Sequence, residues 1–443
     1  MATAIVVGGG IGGTAVALGL IRRGWSVRVL ERAAEYAEVG AGISLWPNAL
    51  RALDALGIGD VVRAQGLADV SAGIRDDRGR WLSRTDVDTM RRRFGAPVVI
   101  HRAALLDILR AALPEGVVET GVSVESVAVD GVVTAVRSVR DGEVAGSGLG
   151  PDVDGVRLER EGGAGRPEAH AEGRVERVGR TERPEVRAEG EAEQAGRTGE
   201  ARAEGGGEQA GRTKRVEFAA DLVVGADGIR SVVRQAVCGE VAPRYAGYTA
   251  WRAVVDLAEP LTDFGETWGR GARFGMAPLP DGRVYCFAVY NAEEGTTGTF
   301  ADVRARFTTW HHPIPALLAA ADPNTVLHND IYELPPLPTY TAGRIALLGD
   351  AAHAMTPNLG QGGCQALEDA VVLSRLAGTP NGLARYNTER RPRTQMITRR
   401  SATIGAVGQL STRPMVALRN TALRLTPPGA QFRSLEKVLE WEP

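Results

Sequence analysis

Apolar runs alternate with segments of helical periodicity along most of the chain. Residues 4–7 form a continuous apolar run, glycines follow, and residues 14–23 carry apolar side chains at helical spacing up to Gly24. Residues 27–31 form a second apolar run. A buried strand, a helix and a second buried strand in this order predict a βαβ unit.

The later part of the chain combines this pattern with a different one. Residues 344–349 read as another buried strand and residues 361–376 as a helix. Between them and the first unit, residues 251–290 alternate aromatic and aliphatic side chains with polar ones, as antiparallel strands do. Two types of sheet are therefore expected in one chain.

One segment breaks both patterns. No aromatic residue occurs between Phe94 and Phe218, and residues 137–215 contain 32 charged residues and 17 glycines. The hexapeptide EQAGRT occurs twice there, at 193–198 and at 208–213. Such a composition buries too little apolar surface to offset the entropy of ordering, so we predict a disordered, low-complexity insertion.

Composition excludes several classes of protein. The 443 residues carry a formal net charge of −2, which argues against nucleic acid or an anionic membrane surface as a default partner. Three widely spaced cysteines provide neither a disulfide framework nor a zinc site, and no metal site is expected. A reducing, cytoplasmic location fits best. No run of 18 apolar residues occurs, so no transmembrane segment is predicted.

The glycine-rich segment after the first strand carries the first chemical signal. Gly8, Gly10 and Gly13 form a GxGxxG pattern between the strand and the helix. They allow a tight turn, a close approach of a pyrophosphate and close packing of the helix on the sheet. Glu31 ends the second strand, 18 residues after Gly13, where a carboxylate can bind a ribose diol. Dinucleotide binding is therefore predicted.

Two further strand ends carry carboxylates. Asp227 follows the apolar run 222–226, although alone it is better interpreted as the cap of a following helix. Asp350 follows residues 344–349 and could bind a polyol. The glycine-rich loop at 360–363 then directs a helix N-terminus at a planar, electron-accepting ring. His353 could be a base, but a structural hydrogen bond beside this loop is the better interpretation.

Together, these three motifs resemble those of the single-component FAD-dependent monooxygenases, the flavin-dependent aromatic hydroxylase family. The resemblance covers nearly all of the chain outside 137–215, and it is strongest to the branch with urate hydroxylases, salicylate hydroxylases and zeaxanthin epoxidases. It also covers the stretches around Gly42 and Arg102. It implies that FAD is bound by Gly8, Gly10, Ile11, Gly12, Gly13, Glu31, Arg32, Gly42, Arg102, Asp227, Asp350, Gly360, Gly362 and Gly363.

The resemblance also suggests residues that act on the substrate. Arg273 and Tyr285 match a catalytic arginine and tyrosine of the urate enzymes, although each can equally be an ordinary sheet residue. Those enzymes have an aspartate where this chain has Asn358, which argues against urate itself. Tyr248, Trp251 and Arg252 are further pocket candidates, but aromatic residues on alternating strands more often belong to the core. Residues 401–432 could form an amphipathic region that binds a surface. Helices that close over the boundary between the two domains are the better interpretation.

The resemblance implies an enzyme that uses NADPH or NADH and O2 to hydroxylate a small aromatic or other electron-rich molecule through a flavin hydroperoxide. Epoxidation of an alkene or terpenoid is the alternative, and a reductase or dehydrogenase of the same fold or a non-enzymatic carrier remain open. The expected partners are the small organic substrate, NAD(P)H and O2. The protein is expected to be a monomer or a homodimer.

The predicted fold class is α/β, with a Rossmann-like FAD-binding domain split by a mostly antiparallel substrate-binding sheet and followed by a helical C-terminus. The FAD-binding parts are 1–70, 96–136, 216–240 and 336–400. The substrate-binding parts are 71–95 and 241–335, and 401–443 is the C-terminal helical region.

Overall fold

The protein is described by a computed structural model covering residues 1–36, 41–68, 71–84, 86–138, 213–258, 260–261, 263–427 and 435–443. The mixed α/β architecture and the helical C-terminus are confirmed. Within these ranges, no helix is both long and apolar enough to cross a membrane. Residues 139–212, most of the predicted insertion, lie outside the described residues.

The strands, in chain order, are β1 (Thr3–Val7), β2 (Ser26–Glu31), β3 (Gly42–Leu45), β4 (Leu67–Ala68), β5 (Ser71–Asp76), β6 (Trp81–Arg84), β7 (Val98–His101), β8 (Val118–Thr120), β9 (Val122–Val127), β10 (Val132–Ser138), β11 (Thr213–Ala219), β12 (Leu222–Gly225), β13 (Arg244–Val255), β14 (Asp263–Trp268), β15 (Ala272–Pro278), β16 (Val284–Asn291), β17 (Leu327–Glu333), β18 (Thr341–Ala342) and β19 (Ile345–Leu347). The helices are α1 (Ile11–Ile21), α2 (Pro47–Ala55), α3 (Gly59–Gln65), α4 (Val87–Phe94), α5 (Arg102–Ala111), α6 (Val233–Cys238), α7 (Phe300–Phe307), α8 (Ile314–Ala320), α9 (Asp350–His353), α10 (Gly362–Leu376), α11 (Gly382–Gly408) and α12 (Arg413–Leu425). A further helical turn spans 435–439.

A six-stranded sheet in the order β18-β19-β12-β1-β2-β8 contains the predicted βαβ unit. All its pairings are parallel except that of β18 with β19. The turn after β1 requires glycine, because Gly8 has a φ of +102° and a Cβ on Gly13 would lie 1.9 Å from the Gly8 carbonyl oxygen. This close approach lets α1 begin directly at the end of the central strand.

A seven-stranded sheet in the order β17-β13-β16-β15-β14-β5-β6 is antiparallel except where β14 pairs with β5. Side chains alternate between its two faces. One face packs Trp251, Phe274 and Cys286 against α7 and α8 in a separate hydrophobic cluster. The opposite face carries Arg273 and Tyr285 and points to the six-stranded sheet, so the functional candidates lie on the face that α7 and α8 leave uncovered.

Strands β9, β10 and β11 form a small antiparallel sheet. Arg137 pairs with Lys214 and Ser138 with Thr213, so the outermost residues of the segment 137–215 belong to paired strands. The backbone hydrogen bonds of β10 and β11 order these ends, and the connection that carries the low-complexity sequence is therefore 139–212.

A buried ionic network joins α10 to α11. The guanidinium of Arg390 donates to Glu368 at 2.5 Å and to Asp369 at 2.7 Å, and all three side chains are fully buried. Burial alone would raise the pKa of Asp369, but its interactions with His353 and Arg390 outweigh burial and lower the pKa to about 2. The stabilisation from Asp369 is therefore complete above the ordinary carboxyl pKa of 3.8 and is lost as the pH falls towards about 2.

Replacing Arg390 with Met should destabilise the protein by about 3–5 kcal/mol, because the buried cation that joins the two carboxylates would be lost, leaving Glu368 with Arg393 and Asp369 with His353. Urea unfolding at neutral pH measures this change. The matched control is Arg375→Met, which breaks the partly exposed ion pair with Glu389 and should cost less than about 1 kcal/mol. Equal effects of the two variants would contradict the role given to the network.

Replacing residues 139–212 with the dipeptide Asn-Gly should leave the fold and its cofactor content intact. Ser138 and Thr213 are paired across β10 and β11, and a two-residue turn connects such a pair. Thermal unfolding and flavin absorbance after purification provide the measurement. A variant that aggregates or loses flavin would show that the replaced segment supports the fold.

Candidate functional site

One cavity of about 1040 Å³ collects the predicted site residues, and residues from the six-stranded and the seven-stranded sheets line it. Every predicted cofactor and catalytic residue lines this cavity except Gly13, which is required for the close packing of α1 against Gly8. Its volume is at the upper end of the range for small-molecule sites, about 300–1,000 Å³. The cavity can therefore hold a large ligand.

The first end of the cavity is formed by the start of α1. Gly10 precedes this helix without a side-chain cap, so the first N–H groups of α1 have no side-chain partner at that position. A Cβ on Gly10 would meet no protein atom within 4 Å. Gly8, Ile11 and Gly12 line the same end. A free helix N-terminus beside open space is suited to a phosphate group.

Glu31 lies at the end of β2 with both carboxylate oxygens engaged. Its Oε2 accepts from the Gly9 N–H at 2.7 Å, and its Oε1 accepts from the Ala33 N–H at 2.9 Å. These bonds fix the carboxylate at the cavity wall, where its remaining lone pairs can accept from a ligand. Arg32 is exposed and lines the same region.

Asp227 lies both at the cavity wall and at the start of a helix. It lines the cavity, and its carboxylate also accepts from the Ser231 hydroxyl at 2.6 Å and from the Val232 and Val233 N–H groups at the start of α6. Burial raises the pKa of Asp227, and these hydrogen bonds only partly offset the effect. Its orientation in the cavity is therefore set by the helix that it caps.

Asp350 and the glycine-rich loop form the middle of the cavity. Asp350 is exposed at the first position of α9. Gly360 has a φ of +60°, and Gly362 begins α10, which has no side-chain cap. A Cβ on Gly363 would lie 2.8 Å from Ile43 Cδ1, whereas one on Gly362 would meet nothing within 4 Å. A second helix N-terminus therefore points into open space, as the sequence predicted.

Arg273 and Tyr285 project from the same face of the seven-stranded sheet but are far apart. Tyr285 is paired with Ala277, four residues along β15 from Arg273, which corresponds to a separation of about 13 Å along the strand. Tyr285 lies beside Gly42, where a Cβ would come within 3.0 Å of the tyrosine side chain. The two residues therefore face different parts of the cavity.

The Arg273 guanidinium is only 2% exposed and is held by protein groups. It donates to Asn358 Oδ1 at 2.6 Å and to Gln409 Oε1 at 3.2 Å, and it lies 3.5 Å from Glu266 Oε2. The Asn358 amide in turn donates to Thr356 and to the Ser401 carbonyl. Asn358 thus fixes Arg273 at the cavity wall.

Two of the three additional pocket candidates do not line this cavity. Arg252 lines it, but Trp251 lies on the opposite face of β13 and stacks on His328 with a ring distance of 4.0 Å. Tyr248 is buried behind the wall, where its hydroxyl lies 3.1 Å from Asn358 Nδ2. His353 does not line the cavity either, because its Nε2 donates to the buried Asp369 at 2.5 Å. Core packing accounts for Trp251 and the hydrogen bond to Asp369 for His353, whereas Tyr248 lines a second, smaller cavity.

The sequence reasoning missed an apolar wall formed by the C-terminal part of the chain. Ile404 of α11, Leu423 of α12, and Leu435, Val438 and Leu439 of the last helical turn all line the cavity. The spacing of the last three, one helical turn apart, is the signal that could have indicated a buried face. The C-terminal helices therefore close the cavity.

A family model described as an FAD binding domain matches residues 1–146 and 169–401 of the chain. The chain belongs to this family. It is 35% identical over 417 residues to the aurachin C monooxygenase/isomerase of Stigmatella aurantiaca, covering 92% of this chain and 90% of that protein. It is 30% identical to the FAD-dependent urate hydroxylase of Klebsiella oxytoca, covering 84% and 80%.

The crystal structure of Klebsiella pneumoniae HpxO complexed with FAD and uric acid superposes with a TM-score of 0.74 at 25% identity, covering 99% of this chain and 96% of that one. The prediction of an FAD-dependent monooxygenase is thereby confirmed.

The described residues fit FAD, the cofactor of this family. Gly10 and Gly362 leave open space at two helix N-termini in one cavity, one suited to the pyrophosphate and the other to a planar, electron-accepting ring. Glu31 and Asp350 also line the cavity, and their carboxylates can accept hydrogen bonds from hydroxyl groups of the cofactor. The assignment of individual residues to FAD is a prediction.

Replacing Gly10 with Leu should abolish FAD retention, because the side chain would extend into the space at the start of α1, where a Cβ meets no protein atom within 4 Å. The ratio of flavin to protein absorbance after gel filtration measures retention, and thermal unfolding reports the fold. The control is Thr412→Leu, which adds leucine before α12, at another helix N-terminus without a side-chain cap. A Gly10 variant that stays yellow would refute the pyrophosphate assignment.

Proposed function

We propose that this enzyme uses NADPH or NADH and O2 to hydroxylate a small aromatic or heteroaromatic molecule bound between the glycine-rich loop and the seven-stranded sheet. The observation that carries the proposal is the meeting of Arg273 and Tyr285 with the two helix N-termini in one cavity. Relatives support the substrate class, since their names include a urate hydroxylase and a 2-heptyl-3-hydroxy-4(1H)-quinolone synthase.

FAD, when bound, supplies the redox chemistry that activates O2 with electrons from the nicotinamide. The chain's own residues orient the substrate and exclude water. Burial raises the pKa of Tyr285, and the charges of Arg252 and Arg102 offset this only in part. The tyrosine therefore keeps its proton near neutral pH and can donate a hydrogen bond to a ring oxygen of the substrate.

Arg273 has a different role in this proposal. Its hydrogen bonds to Asn358 and Gln409 fix the guanidinium at the wall, and the carboxylate of Glu266, which lies 3.5 Å away and also lines the cavity, offsets only part of its charge. Since its main partner, Asn358, is neutral, Arg273 retains positive potential towards the cavity. This potential favours a substrate that carries a phenolate, an enolate or a carboxylate.

The functional division of the chain follows the sheets. We assign 1–70, 96–136, 216–240 and 336–400 to FAD binding, 71–95 and 241–335 to the substrate domain, and 401–443 to closure of the cavity. The pairing of β5 with β14 supports the assignment of 71–95. A cytoplasmic location and a monomeric or homodimeric state complete the proposal. Epoxidation is the second candidate, since the largely apolar lining also accepts an alkene.

A panel of phenols, aromatic acids, indoles, hydroxyquinolones and terpenes tests the proposed reaction. A substrate should stimulate both NADPH oxidation and O2 uptake, and its product should gain one oxygen atom by mass spectrometry. Nicotinamide oxidation that depends on substrate but consumes no O2 would instead indicate a reductase, and oxygen transfer only to the terpenes would indicate an epoxidase.

The variant Tyr285→Phe should lower kcat/KM for the identified substrate by roughly 10- to 100-fold, the effect of losing a hydrogen bond worth about 1.5–3 kcal/mol to a charged partner. Coupled turnover, measured as product per NADPH consumed, is the readout. Tyr332→Phe is the control, because that hydroxyl donates to Glu294 outside the cavity. Unchanged turnover in Tyr285→Phe would remove the residue from the mechanism.

A further inference from the structure

The acidic side chains that line the large cavity come from two sheets. Glu31, Asp227 and Asp350 stand at the ends of strands of the six-stranded sheet, on the side where we place FAD. Among the described lining residues, Glu266 of β14 is the one acidic side chain from the seven-stranded sheet. A carboxylate therefore faces the part of the cavity that is left for the substrate.

The protein engages one oxygen of this carboxylate and leaves the other open. Glu266 Oε2 accepts from the Trp268 indole N–H at 2.7 Å and lies 3.5 Å from the Arg273 guanidinium. No group of the described residues donates to Glu266 Oε1. The Glu266 side chain is 27% exposed and that of Arg273 only 2%. Glu266 is thus the more accessible partner of this pair, with one oxygen that can accept from a ligand.

Strand register places Glu266 between two apolar side chains. It is paired with Ile74 of β5 on one side and with Gly275 of β15 on the other, and Gly275 is paired with Phe287 of β16. Paired residues point to the same face of a sheet, and Ile74, Glu266 and Phe287 all line the cavity. A Cβ on Gly275 would lie 2.0 Å from Phe287 Cζ, so the phenyl ring leans across the glycine towards Glu266. The carboxylate therefore lies within an apolar strip that suits a flat ring with one polar edge.

Arg273 connects this carboxylate to the glycine-rich loop. The guanidinium that lies 3.5 Å from Glu266 also donates to Asn358 Oδ1 at 2.6 Å, and Asn358 stands two residues before Gly360. All four residues line the cavity. Glu266 therefore lies beside the loop whose helix N-terminus is suited to the reactive ring of FAD.

We propose that Glu266 selects the substrate: its Oε1 accepts a hydrogen bond from a ring N–H or a ring hydroxyl group, and Trp268 and Arg273 are positioning residues for the carboxylate. The substrate is then a flat, largely apolar ring that carries such a donor beside the oxygen that Arg273 attracts. An aromatic acid without a donor fits less well, because its carboxylate would meet that of Glu266. This inference rests on the proposed function, since it names the substrate class of the same cavity.

Calorimetric titration of the FAD-loaded full chain with 4-quinolone and with 1-methyl-4-quinolone tests the proposal without NADPH. The unaltered protein should bind 4-quinolone roughly 10- to 100-fold more tightly than the N-methyl compound, because only the former donates to a charged acceptor. Glu266→Leu should abolish this preference, and Glu266→Gln, which keeps an acceptor oxygen, should retain part of it. The control Glu294→Leu removes a carboxylate that accepts from Tyr332 outside the cavity, and the full preference should remain.

Equal affinity of the unaltered protein for the two compounds, or binding of neither, would overturn the proposal. A Glu266→Leu variant that keeps the preference would do the same, because size alone would then exclude the N-methyl group. If Glu266 only balanced the charge of Arg273, its variants would change both affinities by the same factor and leave their ratio unaltered. Should the Leu variant fail to fold, the Gln variant decides, and an unchanged affinity of that variant for 4-quinolone would contradict the role of Glu266.

Oxygen transfer is measured separately with the unaltered enzyme, as O2 uptake and as product mass. An enzyme that prefers the N–H compound but transfers oxygen to no member of the substrate panel would contradict the proposed function and leave the role of Glu266 in binding intact. Oxygen transfer without any preference between the two compounds would contradict the role of Glu266 alone.

Discussion

The buried contact of Arg390 with Glu368 and Asp369 determines where the central helix of the site can lie. Glu368 also accepts from Asn48 Nδ2 at 2.7 Å, which links α2 to α10 and α11. Asp369 accepts in addition from the Gly349 N–H at 2.9 Å, directly before Asp350. Buried charges of this kind are costly unless every partner is in place. The loop that opens α10 and the strand end that carries Asp350 are thus tied to one ionic centre.

Local motifs made much of the cofactor end predictable. The turn after β1 needs glycine at positions 8 and 13, because the backbone within the turn itself leaves no room for a side chain. A local sequence pattern is therefore enough to predict this turn. At the start of α10 the local requirement for glycine lies at Gly360, which has a φ of +60°. For Asp227 the sequence offered a cofactor contact or a helix cap, and the structure places its side chain at the cavity wall and at the start of α6 together.

The substrate end was less predictable because its residues meet through strand register and through distant segments. The alternation in β13 indicates two faces, but it does not say which face meets the cavity, and Trp251 lies on the side covered by α7 and α8. The contact of Arg273 with Asn358 joins residues 85 positions apart. The apolar wall depends on Leu435 and Leu439, which no local motif connects with Met276 or Phe287 on the opposite side of the cavity.

The pairing of Ser138 with Thr213 has a kinetic consequence for folding. The two strands of this hairpin can meet only after a loop of residues 139–212 has closed, and the entropy of closure grows slowly, by about 0.6 kcal/mol for each doubling of loop length. Equilibrium stability is therefore nearly indifferent to the length of this connection. The folding rate is not, because the pairing of residues 138 and 213 is a long-range contact, and long-range contacts slow folding. Variation in length at this turn would change how fast the chain reaches its native state far more than how stable that state is.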